Sequence, residues 1–255
     1  MFFLTHRISL FGDFNRFAPT TTNIIKWSQA FQNRGYDFLP NIIDTQMPLN
    51  LFIPIQPNAQ DKRIQFASQQ SDLFVRILAN RIDAEYISFE SDDPKRELTK
   101  KTEELNVLME ILLNELDNPK GIRLAFYVES MLPEKKENGF KDVYTSQNLG
   151  ITVPKAKDYV EWMHRFNAHT VLKTGLSEEV CNSIISFESA VLNTQDISNG
   201  KPLEMKGLHI SADINTLAER IEERFDISNL KEFCLNSQTL YLNVCEQICE
   251  LFKEK

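Results

Sequence analysis

Residues 62–89 read KRIQFASQQSDLFVRILANRIDAEYISF. Three short runs stand out, Lys62 to Ser68, Asp72 to Ala79 and Asn80 to Phe89, each alternating apolar with polar side chains. Gln69-Gln70-Ser71 punctuates the first join and Asn80 the second, so the stretch reads as an antiparallel meander. Upstream, Phe2, Leu4, His6, Ile8 and Leu10 alternate with Phe3, Thr5, Arg7 and Ser9, which is the period of another strand. Between the two, Thr20-Thr21-Thr22 offers capping hydroxyls to an amphipathic stretch that Gly35 ends, predicting a short helix over about 22–34. Tyr36 to Pro57 is apolar but carries Pro40, Pro48, Pro54 and Pro57, so edge strands and loops are expected there.

Downstream, Asp92-Asp93-Pro94 opens a long helix over about 94–117, with proline in the first turn where its missing N–H costs nothing. Leu98, Leu105, Leu108, Met109 and Leu112 form its apolar stripe. Gly121 to Leu132 alternates again, and three further strand-like stretches lie near 160–174, 180–192 and 203–214. A closing helix covers about 228–252, with Leu230, Phe233, Tyr241, Val244 and Ile248 on its stripe. Strands in runs, with few and long helices, predict an α+β fold: mainly antiparallel sheet packed against two long helices plus the short N-terminal one. Residues 1–255 read as a single unit, or as two lobes, 1–132 and 159–255, joined by the polar, lysine-rich connection 133–158. No internal repeat is visible in the sequence.

Composition sets bounds on function. The chain has 255 residues, a net charge of −8 and eight glycines. The two closest, Gly200 and Gly207, are too far apart for a dinucleotide fingerprint, a P-loop or a nucleophile elbow. No apolar run approaches the roughly 18 residues of a membrane span. Four cysteines in a chain this long make no disulfide framework, and the opening residues read as a strand, so a cytoplasmic location is expected. A pI near 5.2 disfavours direct nucleic-acid binding, because phosphate contacts need a positive field.

Several groups could carry chemistry. Arg81, Asp83 and Glu85 share the polar face of one strand, and a carboxylate pair can hold Mg²⁺ or move protons. An acid followed by Glu-x-Lys on a strand is the pattern of a metal-dependent nuclease, and Asp196 with Glu204 and Lys206 fits it. Such triplets occur here about as often as composition predicts by chance. His209, Ser211 and Asp213 also share a strand face, but same-face positions about 6.6 Å apart project in parallel and cannot form a triad. His164 and His169 are separated by an odd number of positions, so a strand sends them to opposite faces. Cys245 and Cys249 sit on the closing helix, and Cys234 lies roughly 16 Å further along its axis, too far to share a metal. His6 lies on the apolar face of the first strand. No cofactor and no resident metal are expected.

The order Arg63-Ile64-Gln65-Phe66-Ala67-Ser68, Phe74-Val75-Arg76-Ile77, Asn80-Arg81-Ile82-Asp83, then Gly121-Ile122-Arg123-Leu124-Ala125-Phe126-Tyr127-Val128 after a long helix, and Ser211-Ala212-Asp213-Ile214-Asn215 before a terminal helix, resembles a family of uncharacterised, sporadically distributed single-domain bacterial proteins. The resemblance brings no assigned activity, cofactor or catalytic residue. The patchy distribution implies a mobile role such as phage defence or toxin control.

The expected function is therefore a non-enzymatic protein-binding or regulatory component, an accessory subunit of a phage-defence or toxin–antitoxin-like system. Its partner is a protein, its own copies included, with eighteen phenylalanines as a supply of anchors. The alternative is a metal-dependent nuclease or phosphodiesterase working through Asp83 and Glu85, or through Asp196, Glu204 and Lys206.

Overall fold

The computed structural model describes residues 1–45, 61–90, 92–134, 162–175, 177–195 and 202–252. Twelve elements follow in order: β1 (Phe2–Phe11), α1 (Thr21–Gln32), β2 (Phe38–Thr45), β3 (Asp61–Ser68), β4 (Leu73–Ile77), β5 (Arg81–Glu90), α2 (Pro94–Glu115), β6 (Arg123–Pro133), β7 (Met163–Thr174), β8 (Ser177–Gln195), β9 (Pro202–Thr216) and α3 (Ile227–Leu251). The fold is α+β. One antiparallel sheet of nine strands, ordered β2-β3-β4-β5-β1-β6-β9-β8-β7, dominates it. The α+β class and the antiparallel sheet agree with expectation, and α2 and α3 are present near their expected bounds; the difference is that the wide sheet, not a pair of long helices packed on it, dominates the fold. The connection expected over 133–158 and the residues after Gln195 that include Asp196 lie largely outside the described residues, as do Pro48, Pro54 and Pro57.

The local sequence explains the ends of the helices. Thr20 accepts a hydrogen bond from the Asn23 N–H at the start of α1, and Gly35 takes φ +87° beyond its end. Asp93 accepts from the Arg96 N–H before α2, with Pro94 in the first turn. Past α2 the chain turns through Asp117 and Asn118, both at positive φ, into Pro119. Asp226 and Asn229 close a reciprocal capping box on α3.

The strand order contains a repetition that the sequence hides. Each half begins with a central strand (β1 or β6), continues with a three-strand meander running inward from the flank (β3-β4-β5 or β7-β8-β9), and closes with a long helix (α2 or α3). Because β1 and β6 pair antiparallel, a pseudo-twofold axis normal to the sheet relates the two halves. Strand β2 and helix α1 belong to the first half, and β2 extends its flank.

The three helices of the described residues lie on one face of the sheet. Ile8, Leu10, Val75, Ile82, Ala84, Leu124, Phe126, Val128, Ile210 and Ala212 point from the sheet into the core, against Leu105, Leu108 and Leu112 of α2 and Leu230, Phe233 and Tyr241 of α3. One buried hydrogen bond pins each central strand to the helix of its own half. On β1, the His6 ring lies 2.9 Å from the Thr102 hydroxyl of α2, with its Nδ1 3.3 Å from the Tyr127 carbonyl. On β6, the Ser130 hydroxyl lies 2.6 Å from the Tyr241 hydroxyl of α3. Burial holds the His6 pKa down at about 4, so it stays neutral. Gly207 lets β9 approach β6 closely, since a Cβ there would lie 2.4 Å from the Leu132 carbonyl oxygen.

Candidate functional site

Alternation along each strand sends half of its side chains to the other face, on which the described residues place no helix. The register brings polar side chains of neighbouring strands side by side there. Ser9 stands opposite Asp83, Asp83 opposite Arg76, and Arg76 opposite Gln65. One step along β1, Arg7 stands between Glu85 and Tyr127, and at its end Phe11 stands between Arg81 and Arg123. Six of the chain's eleven arginines (Arg7, Arg63, Arg76, Arg81, Arg123 and Arg165) project from this face.

The sequence candidates Asp83 and Glu85 sit at its centre and are 1% and 6% exposed. Each is already bonded. Asp83 accepts from the Ser9 hydroxyl at 2.6 Å and from Arg81 Nε at 2.8 Å. Glu85 accepts from Arg76 Nη1 and lies 3.7 Å from Arg7 Nη1. Arg76 in turn donates from Nε to the Gln65 amide oxygen at 2.6 Å. These are charge-assisted bonds that neutralise both carboxylates. A cation placed on the pair would have to displace guanidinium groups first.

The second candidate set is elsewhere. Glu204 and Lys206 lie on β9, 3.7 Å apart and mostly exposed, with β1 and β6 between them and β5. Asp196 lies outside the described residues. The structure thus brings Asp83 and Glu85 together with arginines, and Glu204 with Lys206, but joins neither pair to the other. Among the described residues no group of three or more His, Cys, Asp or Glu could hold a metal ion.

Toward β7 the face continues in smaller networks. Tyr127 donates to Glu129, and burial followed by this bond drives the phenol's pKa upward. His209 Nδ1 lies 3.1 Å from Glu188 and its Nε2 is 4.0 Å from Glu129. Ser211 pairs with Ser186 at 2.7 Å, and Asp213 accepts from the Asn215 amide at 3.1 Å. His209, Ser211 and Asp213 therefore have separate partners, and none activates another.

On the helix side, Cys181, Cys234 and Cys245 are buried. Burial pushes the thiols of Cys181 and Cys245 up to about 12 and that of Cys234 higher still, so they rest as thiols rather than reactive thiolates. Cys245 and Cys249 border a cleft of about 420 Å³ between the start of α2 and the end of α3, with Met1, Lys95 and Glu250 around it.

Sequence reasoning missed two things: Arg7 and Arg76 of the neighbouring strands, which meet Glu85, and the grouping of Arg81, Phe11 and Arg123. Alternation alone places Arg7, Arg76 and Arg123 on polar faces. Which carboxylate or ring each one meets is decided by β1–β5, β4–β5 and β1–β6 pairing.

No protein-family model matches the chain, and no curated protein matches it. Among solved structures, the duplicated taurocyamine kinase from Schistosoma mansoni with bound transition-state-analogue components aligns with 96% of this chain and 32% of its own, at 8% identity and a TM-score of 0.31. The chain spans about a third of that kinase, and a likeness at this level carries no argument about what the chain does.

Proposed function

We propose that this protein is a non-enzymatic protein-binding component, an accessory subunit that takes an extended segment of a partner protein onto the outer edge of β7. The observation that carries the reading is the state of that edge. Among the described residues, strand β7 is twelve residues long, ends the sheet, and exposes five consecutive residues from Arg165 to His169. Met163, Phe166 and Val171 on it are 56%, 55% and 61% exposed. An edge of this length without proline is a template for strand addition. The opposite edge, β2, has eight residues and contains Pro40, which withholds a ladder donor.

Charge selects the partner's chemistry. Strand β7 carries Arg165, Lys173, His164 and His169 and no acid, so an acidic extended segment complements it. Pairing with a second copy of β7 would set basic strands against each other. In the phage-defence or toxin-control setting that the family resemblance implies, the partner is another subunit of the same system.

The test pairs the purified protein with the products of its neighbouring genes on a size-exclusion column. A complex should form in which β7 amides exchange hydrogen more slowly than in the free protein. The double variant Phe166→Lys, Val171→Glu should abolish it while keeping the far-UV spectrum. Elution at monomer mass in every pairing, or self-association alone, refutes the proposal. The rival reading, a metal-dependent nuclease or phosphodiesterase, would use Asp83 and Glu85. Cleavage of DNA or RNA with Mg²⁺ or Mn²⁺, lost in Glu85→Gln, would favour it instead.

A further inference from the structure

At the end of β1, on the face opposite the described helices, the Phe11 ring lies beside two guanidinium groups from adjacent strands. Arg81 of β5 is 5.9 Å from the ring centroid and Arg123 of β6 is 4.7 Å from it. The two arginines are not equivalent. Arg81 gives its Nε to Asp83. Arg123 has a half-buried side chain whose Nε is shut off from solvent and has no hydrogen-bond partner, and no carboxylate among the described residues pairs with it. The guanidinium stacks on the Phe11 ring instead.

An arginine keeps its positive charge throughout the pH range in which proteins fold. The guanidinium is half-buried, but its Nε is closed off from water, and unsatisfied buried donors are rare enough in folded proteins to need a cause. Among the described residues no acid is paired with Arg123, and further donors stand on the same face. Arg63, on the same face, donates to the Asn15 side chain in the loop after β1 at 2.7 Å, and Asp83, the acid at hand, is already divided between Ser9 and Arg81. Arg123 thus brings a positive charge that no acid among the described residues offsets, on a chain whose net charge is −8.

We infer that the Arg81–Phe11–Arg123 corner is a binding site for the phosphate group of a small phosphorylated ligand, with Arg123 as its principal contact. Two features favour phosphate over a carboxylate. Guanidinium is the side chain suited to forked recognition of oxyanions. The two forks stand on strands that flank β1 from either side, so a tetrahedral group can offer different oxygens to each, whereas one fork uses up both oxygens of a carboxylate. The site is independent of the β7 edge: it lies at the centre of the sheet, and its loss would leave partner binding at β7 untouched.

The test is isothermal titration of the full chain at fixed ionic strength with inorganic phosphate, pyrophosphate and adenosine triphosphate, with acetate as the control. Binding of phosphate or pyrophosphate assigns recognition to the phosphoryl group alone. Binding of the nucleotide only, still dependent on Arg123, adds the base to the recognised ligand. Arg123→Met should weaken the interaction about tenfold or more, by removing a charge-assisted fork. The same substitution should leave the melting temperature of the free protein unchanged or higher, since it deletes an uncompensated charge. Arg123→Lys keeps the charge without the fork and should bind several-fold more weakly than the native protein. It serves as the second variant if the methionine form does not fold. Acetate binding as tight as phosphate, phosphate binding unchanged in both variants, or no response to any phosphorylated probe overturns the inference, as does binding restricted to nucleic acid.

Discussion

Replacing Asp83 by asparagine tests whether the centre of the sheet face opposite the described helices is an ion-pair network that holds the sheet together. The carboxylate is 1% exposed and accepts two hydrogen bonds, from the Ser9 hydroxyl at 2.6 Å and Arg81 Nε at 2.8 Å. Asparagine keeps the shape, removes the charge and turns one oxygen into a donor that faces donors. Each hydrogen bond to a charged group contributes roughly 1.5–3 kcal/mol, and breaking a fully buried pair costs about 3–5 kcal/mol. The Arg81 side chain is 33% exposed and can recover water, which lowers the cost. The expected loss is about 2–3 kcal/mol, or roughly 5–10 °C in melting temperature for a chain of this size. Urea denaturation followed by tryptophan fluorescence measures it well, because buried Trp27 reports on the first half and buried Trp162 on the second. The midpoint should fall with an unchanged slope. Ser9→Ala, which leaves the ion pair intact, should cost about 1 kcal/mol. A loss below about 0.5 kcal/mol for Asp83→Asn would refute the reasoning. A melting temperature that rises with Mg²⁺ in the native protein and not in the variant would instead assign the carboxylate to a metal.

Two further outcomes test the core. His6 has a folded pKa of about 4 against 6.5 for the free side chain, so the unfolded chain binds its proton first. Stability should therefore fall as pH drops from 6.5 towards 4, by at most about 1.4 kcal/mol per pH unit, and this contribution should level off below that. His6→Phe should remove that part of the slope, and an identical pH profile in the variant would contradict it. Gly207→Ala would put a Cβ 2.4 Å from the Leu132 carbonyl oxygen, a backbone atom that cannot rotate away. It should cost about 2 kcal/mol or more by thermal denaturation and loosen β6–β9 amides in hydrogen exchange, and a neutral effect would mean that the strands separate at little cost.

Much of the architecture was readable because it is local. Residues 62–89 alternate with period two and their joins carry turn residues, so β3, β4 and β5 follow from the chain itself. The helix starts at Thr20, Asp93 and Asp226 are hydrogen bonds within four residues, again a property of sequence. The polar side of β5 was likewise visible at Arg81, Asp83 and Glu85. Their chemistry was not, because a row of alternating charges has the same sequence whether it holds a metal or an ion-pair network. The partners that decide between these are Ser9 and Arg7 from β1 and Arg76 from β4.

What the sequence determined alone is the set of elements, their caps and the side each residue faces, since these depend on dihedral preferences and short-range periodicity. Tertiary structure decided the rest. Antiparallel pairing of β1 with β6, more than a hundred residues apart in the chain, makes one wide sheet, relates its halves by a pseudo-twofold axis and sets Arg123 against Phe11. Strand register fixes which side chains meet across that join, and no local rule fixes register between strands so far apart, because it emerges only when both apolar faces bury against the same helices.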